Sequence, residues 1–464
     1  MKFSFLPVAA FSALMFCSCS NSNKTNWPQF RGADGNIVTS NILPEKWDSV
    51  TNIRWTYDIN GTGFSSPIVW GDRIFVASAF GEKVNPLPER QGPPPPPANG
   101  QQQGPQPGQN PPQMTPPQQS IDSSFMKEVY RLQLACIDLN SGKELWKQIV
   151  YKGTPKTGKH PMSSYGNETP VTDGERVYVY FGMMGLYCYD LEGKLLWQKD
   201  FGSYYTQMGW GTGSSPVLYN GTLFIQIDNE MNSFIVALDA ATGNEKWKVS
   251  RTEKTTYSSP FIWTNNQRTE LIANGKTAYS YDPETGKVLW QLNVGGDQVI
   301  PTPVGNTELL IIGTAGGREI KADLYAVKPG ASGDITPVDS LSLSPSLAWK
   351  IRDAGLSNPS PLLYEDKVYL IGNRGEVTII DASKGEKMFY KRVSGIGSCW
   401  ATPWIAGNKV HFLDENGKTR TFNTNGEISL TEESSLKDKT WASVAITDDA
   451  YILRGQKKLW CVGE

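Results

Sequence analysis

From Ser214 to Trp247, and again from Ser258 to Trp290, the chain runs through one pattern twice. Each copy opens on Ser-Ser-Pro (Ser214, Ser215, Pro216; Ser258, Ser259, Pro260) and closes on Asp-x-x-Thr-Gly-x-x-x-Trp. The closing residues are Asp239, Thr242, Gly243 and Trp247 in the first copy, and Asp282, Thr285, Gly286 and Trp290 in the second. Between these markers lie short runs of β-branched and aromatic residues bounded by Gly, Asn or Asp. That layout, at a period in the low forties, predicts four short antiparallel strands per unit, the blade of a propeller. The closing motif has physical reasons. Asp and Thr bond turn backbone through their side chains, and Gly takes the positive φ of the reversal. The Trp four residues on falls on the outermost strand, where its indole can cover the neighbouring blade.

Counting units by the Ser/Thr-Pro start gives Ser66-Pro67, Thr169-Pro170, Ser215-Pro216, Ser259-Pro260, Thr302-Pro303, Ser360-Pro361 and Thr402-Pro403, with Ser443-Val444 as a degenerate eighth. Closing motifs match at Asp138 to Trp146, Asp190 to Trp197, the two copies above and Asp381 to Phe389, with a broken version ending at Trp349. Residues 423–430 are a weaker match, and 459–464 stop short of an outermost strand. Residues 52–59, carrying Trp55, read as an outermost strand with no inner strands before it. The expected fold is therefore all-β: an eight-bladed propeller of four-stranded antiparallel blades, its ring closed by the N-terminal strand joining the C-terminal blade. Such closure removes two sheet edges. Seven blades is the alternative count.

The chain resembles the PQQ-like repeat family of propellers, whose motif is Ala-x-Asp-x-x-Thr-Gly-x-x-x-Trp; Ala237 to Trp247 fits every position. That family holds quinoprotein dehydrogenases and also non-catalytic lipoproteins such as the outer-membrane β-barrel assembly subunit. The resemblance implies a fold before it implies an activity. Its dehydrogenases use adjacent cysteines over the cofactor, and no Cys-Cys pair occurs in this sequence. They also hold Ca²⁺ through Glu, Asn and Asp oxygens, the donors a hard cation takes. Asn167 and Glu168 supply only part of such a set. The resemblance thus favours a binding scaffold without cofactor, with PQQ and calcium as the alternative.

The N-terminus reads as an address. Lys2 precedes an apolar run over residues 3–16, too short to span a bilayer, which ends at Cys17-Ser18-Cys19. Residues 1–18 resemble a bacterial lipoprotein signal, with Cys19 as the lipidation site and a cell-envelope location as the consequence. Residues 19–50 form a tether and a lead-in holding Trp27-Pro28-Gln29-Phe30-Arg31-Gly32 and Trp47, expected to pack on the outside of a propeller spanning 51–464. Two insertions break the repeat. Residues 84–123 are rich in Pro, Gln and Gly and are expected to stay unordered; residues 329–345 interrupt the fifth blade between its last two strands. With 44 Lys and Arg against 46 Asp and Glu, the chain has no basic footprint for nucleic acid. A monomer is expected. Cys136, Cys188 and Cys461 share the small-residue position two before the motif Asp or its equivalent. Equivalent positions on different blades should exceed the roughly 7 Å Cα limit for a bridge. These three, with Cys399, are read as buried small hydrophobes.

Strand alternation places the loops before each Ser/Thr-Pro on one face and the Asp-x-x-Thr-Gly turns on the other. The position three before each Pro, or before Val444, gives Phe64, Asn167, Gly213, Tyr257, Ile300, Asn358, Trp400 and Trp441, expected to ring the channel mouth. The Ser or Thr just before each Pro is expected to bond backbone at a crowded strand start. His160, in the long loop before the second blade, and Glu168 complete the candidate set: His160, Asn167, Glu168, Tyr257, Asn358, Trp400 and Trp441. Aromatic walls with a few polar groups hold flat or sugar-like ligands, so the expected partners are envelope proteins or a carbohydrate ligand. A His160–Glu168 contact is read as loop-ordering rather than catalytic. His411 is read as structural. The two histidines form no His/Cys ligand cluster, so neither a metal site nor a catalytic set is expected; a carbohydrate-cleaving propeller is the remaining alternative.

Overall fold

The computed structural model describes residues 26–81, 128–296, 299–315, 323–339, 342–424 and 432–464. The lipoprotein signal, Cys19 and the 84–123 insertion lie outside these residues. Among the described residues the strands gather into eight sheets, each with four antiparallel strands, and two of them carry a fifth, parallel strand. The blade from Val217–Tyr219, Thr222–Ile227, Ser233–Asp239 and Glu245–Arg251 shows why the strands form. Its second and third strands are buried along their length, apart from the terminal Asp239, because both faces meet neighbouring blades; its outermost strand alternates exposed and covered residues. The closure is as expected: Ile53–Asp58 pairs antiparallel with Lys458–Val462 as the outermost strand of the eighth blade.

Adjacent blades are joined by the indoles. Trp55, Trp146, Trp197, Trp247 and Trp349 donate their Nε1–H to the carbonyls of Leu139, Leu191, Ala240, Pro283 and Ala382, at 2.7–3.2 Å. Each acceptor follows the motif Asp of the next blade. The motif Gly faces the incoming indole: a Cβ on Gly286 would lie 2.8 Å from Trp247, at a backbone φ of +72°. Motif Gly and motif Trp therefore serve each other across a blade boundary. Within a blade the Trp pairs with the small-residue position: Cys136 with Trp146, Cys188 with Trp197, Ala237 with Trp247 and Cys461 with Trp55. All four candidate cysteines are buried and free.

Among the described residues three boundaries lack this bond; the sixth blade has Phe389, partly buried, at the Trp position, and the other two use substitutes. The fourth blade's Trp290 meets no Asp-x-x-Thr-Gly turn and donates instead to its own blade's Glu270, a fully buried carboxylate that also accepts from Ser280 and Asn265. The 329–345 insertion does lie between the last two strands of the fifth blade, and its Gly333–Asp334 adds a parallel strand beside Trp290 and Gln291. In the seventh blade the outermost strand, Glu432–Ser435, carries no aromatic residue. There Trp47 is buried against His411 and Tyr451, with ring centroids 6.2 and 5.5 Å away. His411 is also buried, stacked on Trp404 and bonded to Thr421, as its structural reading required.

The first part of the lead-in, residues 27–39, does not pack on the outside, whereas Trp47 further on bonds the outermost strand of the seventh blade. Residues 27–39 enter the central channel from the face of the Asp-x-x-Thr-Gly turns and cross beneath the inner strands. Trp27 exchanges backbone bonds with Val69, the N–H of Thr172 donates to the Pro28 carbonyl, and the N–H of Leu218 donates to Gln29. Arg31, 1% exposed, donates to the carbonyls of Thr302, Pro303 and Pro361. Asn36 bonds Leu363 in both directions, and Val38–Thr39 pairs parallel with Trp404–Ala406. The reason is the innermost edge of each blade, which presents backbone groups that need partners, and the lead-in supplies them. A cation answers several carbonyls at once. Burial without a carboxylate pulls the Arg31 guanidinium down to about 9, still charged at neutral pH.

Trp247→Ala should lower stability by about 3 kcal/mol in urea denaturation. Gly286→Ala should also destabilise, and less so on the Trp247→Ala background, because the clash needs the indole. Additive losses would show that the two residues do not pack as described.

Candidate functional site

The loops that precede the eight inner strands converge on one end of the channel, where a cavity of about 500 Å³ opens. At its base stand Ser66, Thr169, Ser215, Ser259, Thr302, Ser360, Thr402 and Ser443, one from each blade and all buried. Six backbone bonds link successive members around the channel. The backbone N–H of Ser66 donates to the Thr169 hydroxyl, Thr169 to Ser215, Ser215 to Ser259, Ser259 to Thr302, Thr302 to Ser360 and Thr402 to Ser443, at 2.9–3.1 Å. Each of these oxygens accepts from the blade before it and keeps its own proton to donate. Phe30, carried in by the lead-in, also lines the cavity, so the plug closes the channel below the ring.

All eight residues expected at the mouth line this cavity: Phe64, Asn167, Gly213, Tyr257, Ile300, Asn358, Trp400 and Trp441. Three of them form one continuous wall. Phe64 stacks on Trp441 at 4.3 Å and 20°, and Trp441 on Trp400 at 4.7 Å and 18°. His160 also lines the cavity, edge-on to Trp210 at 5.5 Å and 89°, and its Nδ1 accepts from the Met162 backbone. Burial and the neighbouring Lys159 hold its imidazole below the usual range, so it is neutral at pH 7. Asn167 is fixed by its amide N–H₂, which donates to the Ser163 hydroxyl and the Thr212 carbonyl. That orientation leaves its Oδ1 buried without a protein partner, as are the Tyr257 hydroxyl and the Trp400 Nε1. Burial pushes the Tyr257 phenol up, so it keeps its proton.

Glu168 stands apart from the other candidates. It is fully buried behind the cavity wall, where Thr212 donates to it at 2.5 Å, and it lines no part of the cavity. No hydrogen bond joins it to His160; the loop is ordered by Asn167 and His160 separately. Burial raises its carboxyl to about 7. The alternation of strand faces explains the misplacement: Asn167 and Thr169 face the channel, so the residue between them faces the blade. Trp210, Met162, Ser163 and Phe30 line the cavity and were not singled out from sequence. The first three lie in irregular loops with no repeat position to align.

None of the lining residues is a carboxylate, an arginine or a lysine. Calcium takes several oxygen ligands with carboxylates among them, and the tricarboxylate PQQ needs cationic partners. This lining fits neither group. No cluster of three potential metal ligands occurs among the described residues.

The fold and the repeat define a PQQ-like β-propeller. A family model described as the outer membrane protein assembly factor BamB matches residues 131–299 and 264–461, and the chain belongs to that family. The chain is similar to BamB of Moranella endobia, 26% identical over 58% of this chain and 64% of the relative, and to BamB of Yersinia pestis, 19% identical over 47% and 65%. It thus spans somewhat less than two thirds of these relatives. Among solved structures, BamB from Moraxella catarrhalis superposes with a TM-score of 0.52 at 12% identity, covering 70% of this chain and 91% of that one. The computationally designed Ika8 protein superposes with a TM-score of 0.50 at 12% identity, covering 72% and 93%.

Glu168 supplies a pH test. An acid whose carboxyl is raised from 4.5 to about 7 on folding binds its proton more tightly when folded. Its contribution is present below pH 4.5 and is lost as pH rises through 7, by about 3 kcal/mol at most. Glu168→Gln should therefore gain stability relative to the parent as pH is raised from 4.5 to 7, measured by urea denaturation across that range. A difference independent of pH would show that folding does not raise the carboxyl.

Proposed function

We propose that this chain is a non-catalytic, exported scaffold of the cell envelope, tethered by lipid on Cys19 and engaging envelope proteins through the face of its propeller that carries the cavity. The observation that carries this reading is the chemistry of the mouth. Six of the seven candidate residues meet in one cavity, yet they bring no carboxylate, no cationic side chain and no paired acid and base. General acid–base work needs partners within hydrogen-bond reach; Glu168 is walled off and His160 is engaged by backbone. A rigid ring with a neutral, aromatic mouth is built to hold rather than to convert.

The rim supports a protein partner. Tyr205 and Met208, in the loop before the third blade, are 72% and 55% exposed, and Met231, in a second loop on the same face, is 58% exposed. The two loops are joined by the bond from the Glu230 N–H to the Tyr205 carbonyl. Exposed aromatic and methionine side chains grouped on one face are typical of binding surfaces. The BamB relatives are described as outer-membrane protein assembly factors, and an assembly role in the same compartment is the reading adopted for this chain.

A photo-crosslinking residue in place of Tyr205 tests the reading in cells. Adducts with outer-membrane assembly components are expected from this position and not from Met388 on the outer strand of the sixth blade. Equal labelling from both positions, or a full-length chain recovered in the soluble fraction, would contradict it.

A further inference from the structure

The cavity has a chemistry of its own, separate from the rim. Its volume of about 500 Å³ falls in the range of small-molecule sites. One wall is the three-ring stack of Phe64, Trp441 and Trp400. The fixed Oδ1 of Asn167, the hydroxyl of Tyr257 and the Nε1–H of Trp400, all on lining residues, are buried and have no protein partner. Beneath lies the ring of Ser and Thr hydroxyls, whose oxygens are occupied by backbone N–H groups while their protons remain to donate. Asn358 adds a further amide.

These features narrow the ligand. An anion or a cation would enter without a counter-charge, because no lining side chain is charged, and an unpaired buried ion is costly. A purely apolar ligand would cover the stack but leave the already buried Asn167 oxygen, Tyr257 hydroxyl and Trp400 N–H without a partner. A ligand with one apolar face and a periphery of neutral groups that both donate and accept meets every requirement. A pyranose ring has that form: axial C–H groups on one face and hydroxyls around its edge.

We propose that the mouth cavity is a binding site for a neutral saccharide, one pyranose ring lying on an outer face of the Trp400–Trp441–Phe64 stack with its hydroxyls bonded to Asn167, Tyr257 and the hydroxyl ring. The site takes the ligand without cleaving it, since no acid–base pair faces the cavity. Saccharide binding is independent of the protein partner: it can fail while the scaffold reading stands, and the reverse.

The test uses the mature full chain starting at Cys19, made without lipid, titrated with cellotriose, maltotriose and chitotriose and followed by intrinsic tryptophan fluorescence and calorimetry. At least one of these neutral trisaccharides should bind saturably, and a glucuronic acid oligomer of the same length should bind at least tenfold more weakly. Trp400→Ala should abolish the fluorescence change. Tyr257→Phe, which removes one oxygen and leaves the packing intact, should raise Kd about tenfold, the equivalent of one lost hydrogen bond. Failure of all three trisaccharides to bind, binding unchanged in both variants, or preference for the charged oligomer would overturn the proposal. Saturable binding of a proline-rich peptide in place of the sugars would overturn it in favour of a peptide groove.

Discussion

Neighbouring blades of this ring are tied at two radii, near the axis at six boundaries and near the rim at five, and the rest of the molecule depends on both ties. Near the axis a backbone N–H donates to the hydroxyl that opens the next blade's inner strand. Near the rim an indole N–H donates to the carbonyl after the next blade's motif Asp. A propeller has no single core: every sheet buries its faces only on its two neighbours, so a blade that drifts opens two interfaces at once. The inner tie sets the radius at which eight strand starts meet, and thereby the width of the mouth. The outer tie sets the tilt. Where the repeat lapses, other parts of the chain take the place of the missing group: Glu270 and the 329–345 insertion beside Trp290, and Trp47 beside the seventh blade.

Much of the fold was legible because the repeat is written in residues with mechanical duties. Ser/Thr-Pro marks a strand start, Asp-x-x-Thr-Gly a turn, and Trp a blade boundary; alignment of these alone placed all eight mouth residues. The N-terminal closing strand could be read from an outermost strand lacking inner partners at one end and the reverse deficit at the other. The lead-in could not be placed. Trp27, Phe30 and Arg31 plainly seek burial, but the seat is a hole made by eight separate blades, and no local pattern encodes it. The three carbonyl partners of Arg31 lie on the fifth and sixth blades, some 270 to 330 residues away in sequence. Glu168 failed for a simpler reason: a one-residue step along a strand turns a side chain from the channel into the blade.

The plug gives the site its shape. With Phe30 closing one end of the channel and the hydroxyl ring above it, the cavity is a blind cup rather than a pore. A cup with stacked aromatic walls and oriented but unpartnered polar atoms is a preorganised surface, which lowers the cost of ordering a ligand. Its lining carries no carboxylate, lysine or arginine, which is the observation behind the proposed binding role. The exposed Tyr205 and Met231 lie on the same face as the cup.

The central claim is that this propeller binds without redox chemistry, and a thermal-shift titration of the mature chain with PQQ and Ca²⁺ together tests it most directly. A ligand at a hundredfold over its Kd stabilises the native state by about 2.7 kcal/mol, which a melting curve resolves. The account predicts an unchanged melting temperature, because the mouth offers neither carboxylates for the metal nor cations for the cofactor. A saturable rise that requires both additions would contradict it and return the chain to the quinoprotein branch of its family.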